Sequence, residues 1–102
     1  MTEPRTVLIT GAAGGLGRAF AEGLAAAGDR VVVADINLAG AEETATALRA
    51  ASAETLACEV DVTDRASTQA LAEAAADFGG GSIDVLVNNA AIYAGITRSP
   101  FE

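Results

Sequence analysis

Apolar residues fall along this chain in two alternating patterns. Short, mainly apolar runs occupy Thr6 to Thr10 (around Val7-Leu8-Ile9), Val31 to Ala34, Thr55 to Val60 and Ile83 to Val87. Runs of this length suit strands covered on both faces; Glu54 and Glu59 make the third the least regular. Between the runs, apolar residues return every three or four positions. Leu16, Phe20, Leu24 and Ala27 form one such stripe, Leu38, Ala41, Ala45 and Leu48 a second, and Leu71, Ala74, Ala75 and Phe78 a third. Each predicts a helix with one buried face. Gly28-Asp29 ends the first helix and Gly79-Gly80-Gly81 the third. Asn37 is placed to cap the second, and Thr63 or Asp64 the third. The order is strand–helix three times and then a strand. That alternation predicts a parallel sheet with helices on its faces and right-handed crossovers. Beyond Asn89 the regular pattern lapses, although Ser99-Pro100-Phe101-Glu102 has the form of a helix start.

Between the first strand and the first helix stands Thr10-Gly-Ala-Ala-Gly-Gly-Leu-Gly17. Glycines at 11, 15 and 17, with a further one at 14, allow sharp turning or close approach where a Cβ would collide. The helix that follows offers unpaired N–H groups and the positive end of its dipole, a ready site for a pyrophosphate. The loop therefore reads as a dinucleotide cradle. The alternative is a glycine turn that merely joins strand to helix.

Composition narrows the choice. The chain has 102 residues, 51% of them apolar but only 4% aromatic, so a core built largely from alanine buries little area per side chain. The formal net charge is −8, and all six cations are arginine. An acidic, lysine-free surface argues against nucleic acid and anionic membranes as partners. A phosphate ligand would have to be held by backbone amides and a helix end. The single cysteine, Cys58, excludes an intrachain disulfide and reads as a small core residue rather than a nucleophile. Histidine is absent, which removes the commonest metal ligand and acid–base group, and no metal site is expected. No segment has the form of a signal peptide or a membrane span, so a cytoplasmic location is the expectation.

Two carboxylates sit where a dinucleotide would need them. Asp35 closes the second strand, where an acid accepts hydrogen bonds from the adenosine ribose hydroxyls and repels a 2′-phosphate, favouring NAD over NADP. Its alternative is a solvated carboxylate at a strand end. Asp61 follows the third strand at the same edge of the sheet, close to the place of an adenine; its alternative is a turn residue ahead of the third helix. Arg18, the one cation beside the loop, reads as a solvated first-turn residue within reach of a phosphate.

Taken together, the Thr10–Gly17 loop, Asp35, Asp61-Val62 and Asn88-Asn89-Ala90-Ala91 resemble the short-chain dehydrogenase/reductase family. The T-G-x-x-x-G-x-G spacing is similar to its main branch rather than to the extended branch with G-x-x-G-x-x-G, and the likeness runs along essentially the whole chain. The resemblance implies a Rossmann-type sheet of order 3-2-1-4. It implies that Gly11 to Gly17 (including Ala13, Gly14, Gly15 and Leu16) cradle the pyrophosphate and that Asp35 holds the ribose. Asp61 and Val62 would then flank the adenine, Asn89 and Ala90 would pass close to the cofactor, and Asn88 would brace the fourth strand against neighbouring backbone. One departure is Ala91, where the family's N-N-A-G carries glycine.

The family's hydride transfer between a nicotinamide and a carbonyl or alcohol uses a tyrosine acid–base with a lysine four residues later, helped by a serine and an asparagine. Here the one tyrosine is Tyr93, four residues before Thr97, and the chain contains no lysine. Tyr93 therefore reads as a loop residue near the substrate side. The resemblance implies the NAD-binding N-terminal part of an oxidoreductase acting on a secondary alcohol or ketone. The catalytic half would be absent and the chain inactive alone, and the parent is expected to be a homo-oligomer. A stand-alone nucleotide-binding or regulatory module is the alternative, and a poorly folding truncation a third.

Overall fold

The structure, a computed structural model, describes residues 4–89. Its elements are β1 (Thr6–Thr10), α1 (Gly15–Ala26), β2 (Arg30–Asp35), α2 (Leu38–Ala50), β3 (Thr55–Glu59), α3 (Arg65–Phe78) and β4 (Val85–Asn88). The strands form one sheet in the order β3-β2-β1-β4, and all three pairings are parallel. This is the Rossmann-type arrangement expected. Leu8 lies opposite Val32 on one side and Leu86 on the other; Ile9 lies between Val33 and Val87.

Side chains alternate across the sheet with period two, which sorts each apolar run into two cores. Val7, Ile9, Val31 and Val33 pack with Ala12, Ala21, Ala41, Ala45 and Leu48 beneath α1 and α2. Leu8, Val32 and Ala34 pack with Val60, Leu71 and Ala75 beneath α3. Both faces of β1 and β2 are thus covered, the reason their sequences lack polar alternation.

Caps follow local chemistry. The Asn37 side chain accepts from the Gly40 amide and Asp64, the choice made between two expected candidates, accepts from the Ala66 amide. Gly28, at φ 99, takes the chain out of α1, and α3 ends at Gly79.

The first helix corrects the expected stripe. Leu16 is 62% exposed, Phe20 is 40% exposed and Ala27 lies at the surface, while the buried residues of α1 are Gly17 and Ala21. Gly17, Ala21, Leu24 and Ala25 repeat with the same helical period, one position on from Leu16 and Phe20. Period alone cannot choose between stripes so close in rotation. Close approach to the glycine loop chooses the smaller one. In the other helices, Ala41, Ala45 and Leu48 of α2 and Leu71 and Ala75 of α3 are buried as expected, whereas Leu38 is 39% exposed.

The fourth strand begins two residues later than its apolar run suggests. Asp84 is occupied at its start: its carboxylate accepts from the Thr6 amide at 2.7 Å and its own amide donates to the Thr6 carbonyl. Among the described residues β4 pairs with β1 alone. Its Leu86 is 61% exposed on the wall of an open groove of ≈ 560 Å³ between the sheet and α3, lined also by Leu8, Val62, Leu71 and Ile83. No helix among the described residues is long and apolar enough to cross a membrane. Ala90, Ala91, Tyr93, Thr97 and the Ser99–Glu102 helix start lie outside the described residues.

Candidate functional site

The carboxyl ends of β1, β2 and β4 converge on the glycine loop, the edge at which parallel α/β sheets place ligands. Gly11 and Gly15 take positive φ values of 69° and 58°, which non-glycine residues adopt at a cost. Gly17 is required for a different reason. A Cβ there would overlap the Gly11 carbonyl oxygen and come within 2.7 Å of Asn89 Nδ2. Gly14 is extended, at φ −168°, with nothing described within 4 Å of a Cβ built on it. Three of the four glycines are therefore demanded by the chain's own geometry. The fourth leaves open space on the outer side of the loop.

Two successive peptide planes of the loop are held at both ends. In the first, the Ala12 amide donates to the Ala34 carbonyl at 3.1 Å, and the Gly11 carbonyl accepts from Asn89 Nδ2 at 3.3 Å. In the second, the Ala13 amide donates to Asp35 Oδ2 at 3.0 Å, and the Ala12 carbonyl accepts from Thr44 Oγ1 at 2.9 Å. The pattern then stops. The first helical bond runs from the Arg18 amide to the Gly14 carbonyl, leaving the amides of Gly14, Gly15, Leu16 and Gly17 with no acceptor among the described residues. Four free donors and the positive end of α1 face an anion's place.

Asp35 does more than sequence reasoning assigned to it. Besides the Ala13 amide it accepts the Asn37 amide at 3.0 Å on its other oxygen. It ties the glycine loop to the start of α2, and each oxygen keeps a second acceptor site. Asp61 lies at the same edge after β3, half-buried, its amide donating to Ser67 Oγ. Its carboxylate accepts from the Thr63 hydroxyl and amide, which hold it below the usual carboxylate range. The turn-residue reading of Asp61 is thus satisfied by its bonds to Thr63, and Val62 packs partly on the core beneath α3.

The asparagine pair divides its work between side chains and backbone. Thr10 Oγ1 donates to Asn88 Oδ1 at 3.0 Å and accepts from the Asn89 amide at 3.1 Å. Among the described residues, the Asn88 side chain meets a side chain of β1, that of Thr10. The backbone brace is Asn89, through the Gly11 carbonyl. Arg18 pairs with Glu22 along the helix surface at 3.2 Å, the solvated reading. Cys58 is partly buried in the α3-side core; burial first, then the Glu42 carboxylate, push its thiol pKa up and keep it protonated near neutrality.

Sequence reasoning missed Thr44, Thr10 and Ser67. Thr10 carried a signal, the threonine that opens the loop motif. Thr44 carried none, being one polar residue amid alanines on a helix.

Residues 5–102 match the family described as short chain dehydrogenase. The chain belongs to this family. It is 44% identical to galactitol 2-dehydrogenase of Agrobacterium fabrum over 96% of its own length and 39% of that enzyme's. It is 48% identical to sorbitol dehydrogenase of Cereibacter sphaeroides over 87% of its length and 33% of that enzyme's. Among solved structures, a short-chain dehydrogenase/reductase of Burkholderia phymatum in complex with NAD superposes with a TM-score of 0.76 at 41% identity. That match covers 84% of this chain and 31% of the other. The chain therefore spans under two-fifths of the length of these relatives.

Proposed function

We propose that this member of the short-chain dehydrogenase family is the NAD-binding part of an oxidoreductase that moves a hydride between NAD and a secondary alcohol or ketone. The observation that carries this reading is the loop itself: two peptide planes held at both ends, followed by four unengaged amides at a helix N-terminus beside a carboxylate. The residues fit the group. The amides of Gly14 to Gly17 hold the pyrophosphate, and the remaining acceptor sites of Asp35 take the ribose hydroxyls. The Asp61–Val62 edge flanks the adenine, and Asn89 passes close to the cofactor. When bound, NAD supplies the hydride acceptor. This chain's part is to bind and orient it. The NAD complex of the similar Burkholderia protein supports the cofactor, and two relatives named for polyol oxidation support the alcohol class.

Domain extent, catalytic groups and location follow the same reading. Residues 1–102 are the dinucleotide-binding portion of one domain. With no lysine in the chain, a Tyr-x-x-x-Lys pair comes from outside it. The whole protein acts in the cytoplasm as a homo-oligomer, without nucleic-acid or membrane partners.

Titration calorimetry with NAD and NADP tests the cofactor assignment. NAD is expected to bind more tightly, and Asp35→Ala to narrow the difference by removing an acceptor and a repulsive charge, each worth on the order of 1–3 kcal/mol. Equal affinities before mutation would refute the role of Asp35. Added alone to NAD and secondary alcohols, the 102-residue chain is expected to form no NADH.

A further inference from the structure

Helical threonines ordinarily turn their hydroxyl back onto a carbonyl of the preceding turn. Thr44, in the middle of α2 and fully buried, does something else. Its Oγ1 leaves the helix and donates to the Ala12 carbonyl at 2.9 Å, with the Ala13 carbonyl next nearest at 3.4 Å. The peptide unit it grips is the one whose N–H is held by Asp35, so the Ala12–Ala13 plane is fixed from both sides. That plane is the last fixed one before the free amides of Gly14 to Gly17.

Helix α2 is brought within reach by Gly40, one turn earlier. A Cβ on Gly40 would stand 2.7 Å from Ala13 Cβ, so α2 rests directly against the outgoing side of the loop. The Ala12 carbonyl is enclosed here. Without the hydroxyl it would be a buried acceptor lacking a partner, and the plane would be driven to rotate. Rotation about this unit re-aims the amides that follow it.

We propose that Thr44 is a positioning residue for the dinucleotide: from behind the loop, it sets the orientation in which the Gly14–Gly17 amides meet the pyrophosphate. The inference rests on the NAD-binding reading above and adds to it a residue that makes no contact with the cofactor.

The test uses the full protein carrying this chain, three variants and two readouts. Thr44→Val preserves shape and removes the hydroxyl, whereas Thr44→Ser keeps it. Thr55→Val deletes a hydroxyl that is buried in β3 without a hydrogen-bond partner among the described residues, and serves as the control. By calorimetry with NAD, Thr44→Val is expected to bind about 5- to 30-fold more weakly. Thr44→Ser should stay within about twofold and Thr55→Val should bind unchanged. By hydrogen exchange without ligand, the Ala13 amide is expected to exchange at least about tenfold faster in Thr44→Val, with β2 amides unaltered. Unchanged NAD affinity in Thr44→Val would overturn the proposal, as would equal losses in the Val and Ser variants. If the unmutated protein binds no NAD, the cofactor reading fails, and the Ala13 exchange rate alone then decides whether Thr44 holds the loop. Should Thr44→Val not fold, Thr44→Ala against Thr44→Ser supplies the same comparison.

Discussion

The two faces of this sheet are built from the same four strands and differ in how they are closed. Beneath α1 and α2, glycine and alanine let helices approach closely: Gly17 meets the Gly11 backbone carbonyl, and Gly40 leaves room for the Ala13 methyl. The core there is small in area and closest at the loop, where the Gly11 and Ala12 carbonyls each have a side-chain donor; only farther along, beside Leu48, does a smaller groove of ≈ 210 Å³ open between α1 and α2. Beneath α3 the side chains are larger and the fit is looser, with a groove of ≈ 560 Å³ running along β4 and Leu86 exposed on its wall. The lesson is that large apolar area is not what holds a phosphate loop. Short side chains bring the elements near enough for side-chain hydrogen bonds to fix the backbone.

The sharpest way to break this comparison is to make the same deletion on each face. Val33→Ala, beneath α1 and α2, is expected to cost about 2–3 kcal/mol, and Val60→Ala, on the groove, about 1–2 kcal/mol, because neighbours there can relax into open space. Urea denaturation of both variants checks it; equal costs would mean that the faces are packed alike.

A second test adds volume instead. Gly17→Ala is expected to destabilise by about 1–3 kcal/mol and to weaken NAD binding as well, since the new methyl displaces the Gly11 carbonyl. Gly14→Ala should leave unfolding unchanged within about 0.5 kcal/mol. Parallel calorimetry and denaturation separate the two positions.

The opposite end of the sheet supplies a smaller, pH-dependent effect. Arg5 Nε and Nη2 donate to the buried Asp29 carboxylate at 3.1 and 2.9 Å, and that hydrogen bonding holds the Asp29 pKa below its usual 3.8. A lowered folded-state pKa contributes stability that is present above the unfolded value and lost as pH falls through the folded one. Thermal melts should therefore show a drop on acidification below about pH 4, and Arg5→Ala should flatten it. An identical acid limb in that variant would rule the pair out.

The smallest stability change is expected at Leu86. Protein-edge strands without protection invite pairing, and the 102-residue chain is expected to self-associate through β4. Leu86→Lys should shift sedimentation toward monomer with unfolding changed by less than about 0.5 kcal/mol. A monomer at every concentration before mutation would show this edge to be covered.

Much of the molecule was legible as a pattern. Four short, mainly apolar runs and three helical stripes led to the alternation of elements, and the family's motifs to the sheet order. Asn37 and the glycine triplet acted locally, as short-range hydrogen-bonding and backbone rules predict. The errors arose where two patterns of equal period competed. On α1, Leu16 and Phe20 outrank Gly17 and Ala21 by hydrophobicity, yet the smaller pair is buried because only it permits contact with the loop.

What the sequence by itself determined is thus the order of strands and helices, the position of the glycine loop and the carboxylate that follows β2. Those depend on neighbours along the chain, whose spacing is written in the residues. Tertiary structure alone decided which amides stay free and which are held. Asn89 reaches Gly11, Thr44 reaches Ala12 and Asp35 reaches Ala13 across 78, 32 and 22 positions of sequence. No local rule joins residues so far apart; they meet because parallel pairing brings every strand's carboxyl end to one edge, and small residues let α2 come close enough to touch it.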